Sequence, residues 1–354
     1  MHCVIVGFGM EDRPGKVIYE YEDIKGEPHA VPAHNINPYL VDATDVTLPR
    51  RSRPICEAPE IGIGNKPIDD GNYLFTTDEM QAFIALEPAS KKWFRRWLGA
   101  DEFLNGYERW CLWLGDCSPV ELRAMPEAMK RVQAVKASRL ASKSLPTQKL
   151  ASTPTRFHVE NMPEKPYLVL PEVSSERRQF IPFGFEQPAT LCSNLVKLAP
   201  GATLLHFGIL SSTMHNAWVR TTCGRLESRY RYSKDIVYNN FPWPDLSSSN
   251  QPPAQAERAQ AAIETAAQAV LDARAQFPDS SLADLYDPLS MPPALVKAHQ
   301  KLDAAVDKAY ELGGGRKNYK NDAERVAYLF ELYQRYTSLL PTEKAKLKRR
   351  AQAA

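Results

Sequence analysis

Glu227, Arg229 and Arg231 alternate with Ser228, Tyr230 and Tyr232 in the run GRLESRYRYSKDIVYNNFPWP, residues 224–244. Successive side chains of an extended chain point to opposite faces, so this spacing predicts three charged groups on one face. One carboxylate and two guanidiniums make a poor core, because each buried charge needs a partner. They suit the reading of base edges. A glutamate accepts a hydrogen bond from cytosine N4, and an arginine donates two to guanine O6 and N7. A Glu–Arg pair two residues apart can thus grip both halves of one C·G pair. The competing uses are a salt bridge on a solvated sheet, or a charged strand that pairs with a partner chain.

The surrounding elements must hold this row. Residues 155–245 are β-rich and aromatic, with PYLVLPEVSSERRQFIPFGF and TLLHFGIL before the charged run. In residues 56–150 helical patterns dominate. Thr77-Asp78 predicts a helix start ahead of EMQAFIAL, and KKWFRRWLG predicts a helix closed at Gly99. The tryptophans and leucine of GYERWCLWLG read as core, as do Trp218, Phe241 and Trp243. Residues 125–150 carry Lys130, Arg131, Lys136, Arg139, Lys143 and Lys149 against one early acid, Glu127; a solvated helix face and phosphate contact both fit. SSSNQPP (247–253) is a linker by composition, and three amphipathic helical patterns follow it, then a basic tail at 344–350. The fold class expected is α+β, a mixed helix and β domain followed by a small helical bundle.

Bulk properties bound the function less tightly. The chain has 354 residues, ordinary hydrophobic and charged content, and a net charge of +2, so nucleic-acid binding must rest on where the basic residues fall. Six scattered cysteines show no CxxC pair and read as free thiols of a reducing compartment. No apolar run reaches the roughly 18 residues that span a bilayer, and a cytoplasmic location is expected. HCVIVGF, residues 2–8, reads as a buried strand that begins with nothing before it to pair with, which suggests truncation or a split gene. Residues 10–55 read as a strand and a connector.

The catalytic templates mostly fail. Neither G-x-G-x-x-G nor G-x-x-x-x-G-K-[ST] occurs, and Gly62-Ile63-Gly64-Asn65 reads as a turn. His206 and His215 read as core or interface histidines, and no metal-ligand cluster is evident. Asn37-Pro38-Tyr39 in NINPYL approaches the Asn-Pro-Pro-Tyr loop of adenine methyltransferases but lacks the second proline. It reads as a connector turn; a divergent active methyltransferase using NINPYL is the alternative.

RWCLWLGD, SSERRQFIPFGF, HFGILSSTMHNAWVR, the 224–244 run and YDPLSMPPALVKAHQKLDAAVDKAY together resemble the C-terminal part of MmeI-like type IIL restriction-modification enzymes. The resemblance implies residues 1–45 as the terminal strand and connector of a missing methyltransferase domain, 46–246 as a DNA target recognition domain, and 247–354 as a helical C-terminal domain. It implies base reading by Glu172, by Asn194 with Leu195, and by Glu227, Arg229 and Arg231. Glu227 with Arg229 would read one C·G pair, Glu172 with Asn194 a second position, and Arg231 near Leu195 a purine-containing one. Lys149, Ser174, Ser175, Arg177, Arg178 and Arg225 are phosphate candidates. Catalytic and metal residues are expected to be none, S-adenosylmethionine is expected on the missing methyltransferase domain, and the expected partners are double-stranded DNA and a methyltransferase/nuclease portion on a separate or upstream polypeptide.

Overall fold

The computed structural model describes residues 4–11, 13–21, 26–246 and 252–338. Strands β1 (Lys16–Glu20) and β2 (His29–Ala33) form an antiparallel hairpin, where one strand and a connector were expected. The HCVIVGF strand is not present in the described part. Residues 4–9 adopt no strand, and Val4, Ile5 and Phe8 are exposed; among the described residues no strand lies alongside to pair with their backbone. NINPYL is a turn, as expected. Leu40 N–H donates to Asn37 O at 2.8 Å, and Asn37 Oδ1 accepts from Tyr39 N–H at 2.9 Å. The Asn37 amide donates to Thr44 O, so this buried side chain is spent on its own connector.

After the short β3 (Gly62–Ile63) come β4 (Leu74–Thr76), helix α1 (Thr77–Leu86), β5 (Phe94–Leu98), α2 (Ala100–Asn105), β6 (Arg109–Leu112), α3 (Pro119–Arg123), α4 (Pro126–Ala141) and α5 (Leu145–Lys149). Helix α1 starts where expected, because Thr76 and Glu79 form a reciprocal capping box. KKWFRRWLG is instead a 3-10 turn leading into β5, which pairs with β6 and, in parallel, with β10 (Leu191–Cys192). Its apolar residues fit a helical period, but sheet pairing that buries Phe94, Trp97 and Leu98 wins. Gly62–Asn65 is likewise a strand end and not a turn: a Cβ on Gly64 would lie 2.3 Å from Ser193 O.

The basic character of α4 is only partly a surface property. Arg139 is 1% exposed, and all five of its N–H groups donate to carbonyls, those of Pro67, Ile68, Leu150, Thr153 and Arg156, at 2.9–3.0 Å. It is an internal clamp, out of reach of phosphate.

Strands β7 (Tyr167–Pro171), β8 (Val173–Ser174), β9 (Gly184–Glu186) and β11 (Val196–Pro200) follow. One sheet runs β3-β11-β7-β9, with Leu170 opposite Lys197. Helices α6 (Leu204–Ser211) and α7 (Thr213–Thr222) then precede β12 (Gly224–Leu226) and β13 (Arg229–Arg231), which complete the sheet β12-β13-β8. The C-terminal helices are α8 (Pro253–Ala275), the short α9 (Leu282–Leu285), α10 (Pro293–Leu312) and α11 (Asp322–Ser338). The three long helices match the expected amphipathic patterns; most of the linker and the basic tail lie outside the described residues.

The helical bundle has no separate core. One cluster joins Leu168 and Leu170 of the sheet, Phe207, Leu210 and Trp218 of α6 and α7, and Ile263, Leu302 and Phe330 of the bundle. Trp218, Phe241 and Trp243 are buried in it, as expected. His215 is there too, donating to or accepting from Tyr232 Oη at 2.9 Å; burial pushes its pKa down to about 3, so it is a neutral core residue.

Asp303 on α10 joins the bundle to α7, accepting from Thr213 N–H and Oγ1–H at 2.6 Å each. Burial pushes its pKa up to about 6 despite those bonds. A carboxyl raised in the folded state stabilises most below its unfolded pKa of about 4, and the contribution is lost as pH rises through 6. Urea titrations should therefore show stability from this group falling between pH 4 and 6, by up to about 3 kcal/mol. Asp303→Asn should flatten that slope; an unchanged slope would remove Asp303 as its source.

Among the described residues no helix is long and apolar enough to cross a membrane, and no group of three His, Cys, Asp or Glu is placed to hold a metal.

Candidate nucleic-acid interface

Strands β12 and β13 form a hairpin in which Leu226 lies opposite Arg229, so Glu227 and Ser228 are the two-residue loop. The expected continuous extended row is therefore broken. Glu227 stands at the reversal with φ of 58°, a position hairpins usually give to glycine or asparagine. Beyond the turn the alternation holds: Arg229 and Arg231 are exposed, and Tyr230 and Tyr232 are buried. Glu227 nevertheless meets Arg229, whose Nη2 donates to Glu227 Oε2 at 2.8 Å. The pair stands in solvent, with side chains 77% and 45% exposed.

The second constellation lies where β7, β11 and β13 converge. Glu172 N–H donates to Leu195 O at 3.1 Å, and Tyr232 N–H donates to Glu172 O at 2.7 Å. These backbone bonds bring together three regions distant in sequence. Asn194 and Leu195 occupy the turn between β10 and β11, pinned by Leu195 N–H to Ser193 Oγ at 3.2 Å, and Leu195 is exposed. The Glu172 carboxylate is shared: Arg231 Nε donates to Oε1 at 3.2 Å and Lys197 Nζ to Oε2 at 2.6 Å. Arg231 is thus held on Glu172, whose own N–H is bonded to Leu195 O. Lys197 was not anticipated. Its signal is a lone lysine in the otherwise apolar strand VKLAP, and the residue is itself only 8% exposed, which calls for a buried anion.

The phosphate candidates divide. Lys149 ends α5 in solvent, Arg177 is exposed, and Arg178 and Ser175 are half-buried. Ser175 Oγ accepts from Arg177 N–H at 3.2 Å, which shapes the loop. Arg225 is exposed but braced: its guanidinium lies 4.1 Å from the centre of the Tyr230 ring and donates to the carbonyls of Ser228 and Arg220. Ser174 does not fit a phosphate role. It is 4% exposed, because its place in β8 opposite Tyr230 turns the side chain inward.

The α+β scaffold therefore presents two carboxylate–guanidinium pairs, Glu227–Arg229 in solvent and Glu172–Arg231 half-buried, with both arginines on β13. Residues 42–245 match the family model described as MmeI, target recognition domain, and residues 255–341 match MmeI, C-terminal domain. The chain belongs to the MmeI family. A solved structure of the type IIL restriction-modification enzyme MmeI in complex with DNA is 50% identical with a TM-score of 0.84, covering 94% of this chain and 42% of that one. DNA methyltransferase A of Bacillus subtilis (strain 168) is 36% identical over 335 residues, 94% of this chain and 36% of the relative. The chain thus spans well under half the length of these relatives.

Proposed function

We propose that this chain is the sequence-reading part of an adenine-N6 DNA methyltransferase/restriction enzyme of type IIL. The exposed Glu227–Arg229 pair carries the reading: the carboxylate accepts from cytosine N4 and the guanidinium donates to the paired guanine. Glu172 with Asn194 reads a second position, and Arg231 with Leu195 a purine-containing one. Lys149, Ser175, Arg177, Arg178 and Arg225 hold phosphates and set the register without choosing sequence. The rival reading, a charged strand that adds to a partner's sheet, is weakened by the place of β13 between β12 and β8, which already occupy both its edges.

Chemistry belongs to a methyltransferase/nuclease portion on a separate or upstream polypeptide, and S-adenosylmethionine belongs there with it. Catalysis by NINPYL is disfavoured because the Asn37 amide is already committed to Tyr39 N–H and Thr44 O. A chain of this function works in the cytoplasm with the DNA. The test is selection of randomised duplexes by the purified full chain at low salt, alone and with a methyltransferase portion of a relative supplied in trans. Enrichment of sites with a fixed C·G pair is expected, lost in Glu227→Ala/Arg229→Ala. Equal recovery of all sequences under both conditions would refute base reading.

A further inference from the structure

We propose that Lys197 is a positioning residue that sets base discrimination through Glu172, an inference that rests on the base-reading function above. Lys197 lies on β11 opposite Leu170 of β7, and Glu172 directly follows the end of β7, two residues after Leu170, so the two side chains are diagonal neighbours. Its ammonium is 2.6 Å from Glu172 Oε2, with side chains only 10% and 19% exposed. An ammonium in such a place needs its carboxylate, and the carboxylate is fixed in return. Arg231, the other cation on Glu172, is 61% exposed at 3.2 Å.

The two partners are therefore not equivalent. The exposed Arg231 can leave Glu172 for a base or phosphate, whereas the buried Lys197 cannot follow it. Lys197 keeps Oε2 occupied, neutralises the carboxylate against the negative DNA, and leaves Oε1 as the acceptor at a set angle. Without Lys197 nothing prevents Arg231 from gripping both oxygens in the bidentate geometry that guanidinium and carboxylate favour. Glu172 and Arg231 would then be lost to the DNA together.

The experiment is competition binding by the full chain over duplexes varied one base pair at a time. Glu172→Ala first identifies the pair that Glu172 reads, as the position where discrimination falls. Lys197→Met keeps the aliphatic stem and removes the charge. It should lower discrimination at that same pair about tenfold or more, leave discrimination at the Glu227–Arg229 pair unchanged, and add nothing in the Glu172→Ala background. If Lys197→Met does not fold, Lys197→Gln carries the same expectations. Equal weakening for every duplex would make Lys197 a structural strut and overturn the proposal, as would unaltered discrimination. A wild-type chain that discriminates at no position overturns base reading itself.

Discussion

Glu227→Lys combined with Arg229→Asp should invert one preferred base pair from C·G to G·C. The lysine donates to guanine where the glutamate accepted from cytosine, and the aspartate accepts from cytosine where the arginine donated to guanine. The exchange keeps a cation and an anion two residues apart, so the 2.8 Å ion pair of the hairpin has a counterpart in the variant. Both residues are solvent-exposed, and neither supports the core. Each good base contact is worth about 1–3 kcal/mol, so two exchanged contacts should move the C·G to G·C preference by roughly 100-fold or more. Competition binding with matched duplexes, and the methylated positions when a methyltransferase portion is supplied, both report it. A preference that stays with C·G would refute the assignment of this pair.

Arg139→Met should cost the recognition domain much of its stability while touching no DNA. The five carbonyls now satisfied by one guanidinium come from 67–68 and 150–156, two segments that α4 holds together. A buried acceptor left without a donor costs about 1–3 kcal/mol, so two uncompensated carbonyls already remove about 2–6 kcal/mol. Domains of this size have only about 5–15 kcal/mol in total. Arg139→Lys offers three donors in place of five and should fall between. Urea denaturation followed by tryptophan fluorescence measures this; a midpoint within experimental error of wild type would show that water replaces the guanidinium.

How much of this was legible in the sequence depended on whether the deciding interaction was local. The long helices α8, α10 and α11 and the start of α1 follow from period and capping chemistry, which are properties of short windows. Strand β5 was misread because its burial is decided by β6 and β10, the latter nearly a hundred residues away. The charged row at Glu227, Arg229 and Arg231 could be read by type and spacing, whereas Glu172, Asn194 and Leu195 came only through the family resemblance, and the arrangement of none of them was legible. GRLESRYRY has no Asn-Gly or Asp-Gly to announce a reversal, so the turn at Glu227 left no local mark. Lys197 was missed because its meaning lies in Glu172, on another strand. Arg139 shows the converse hazard: in a basic helix, an arginine at the core of the domain cannot be told from its solvated neighbours by composition.

The left-handed backbone at Glu227 bears on how such a domain can diversify. On the proposed reading, the residue that chooses the base also closes the turn, so each replacement must satisfy two demands at once. Glycine, asparagine and aspartate tolerate φ of 58° well, whereas valine, isoleucine and threonine strain there. Side chains that would greet a thymine methyl with a branched aliphatic group are thereby handicapped before any base is met. The repertoire of specificities open to this position is filtered by backbone geometry first and by base chemistry second, and new letters excluded at 227 must be gained at Arg229 on the neighbouring strand.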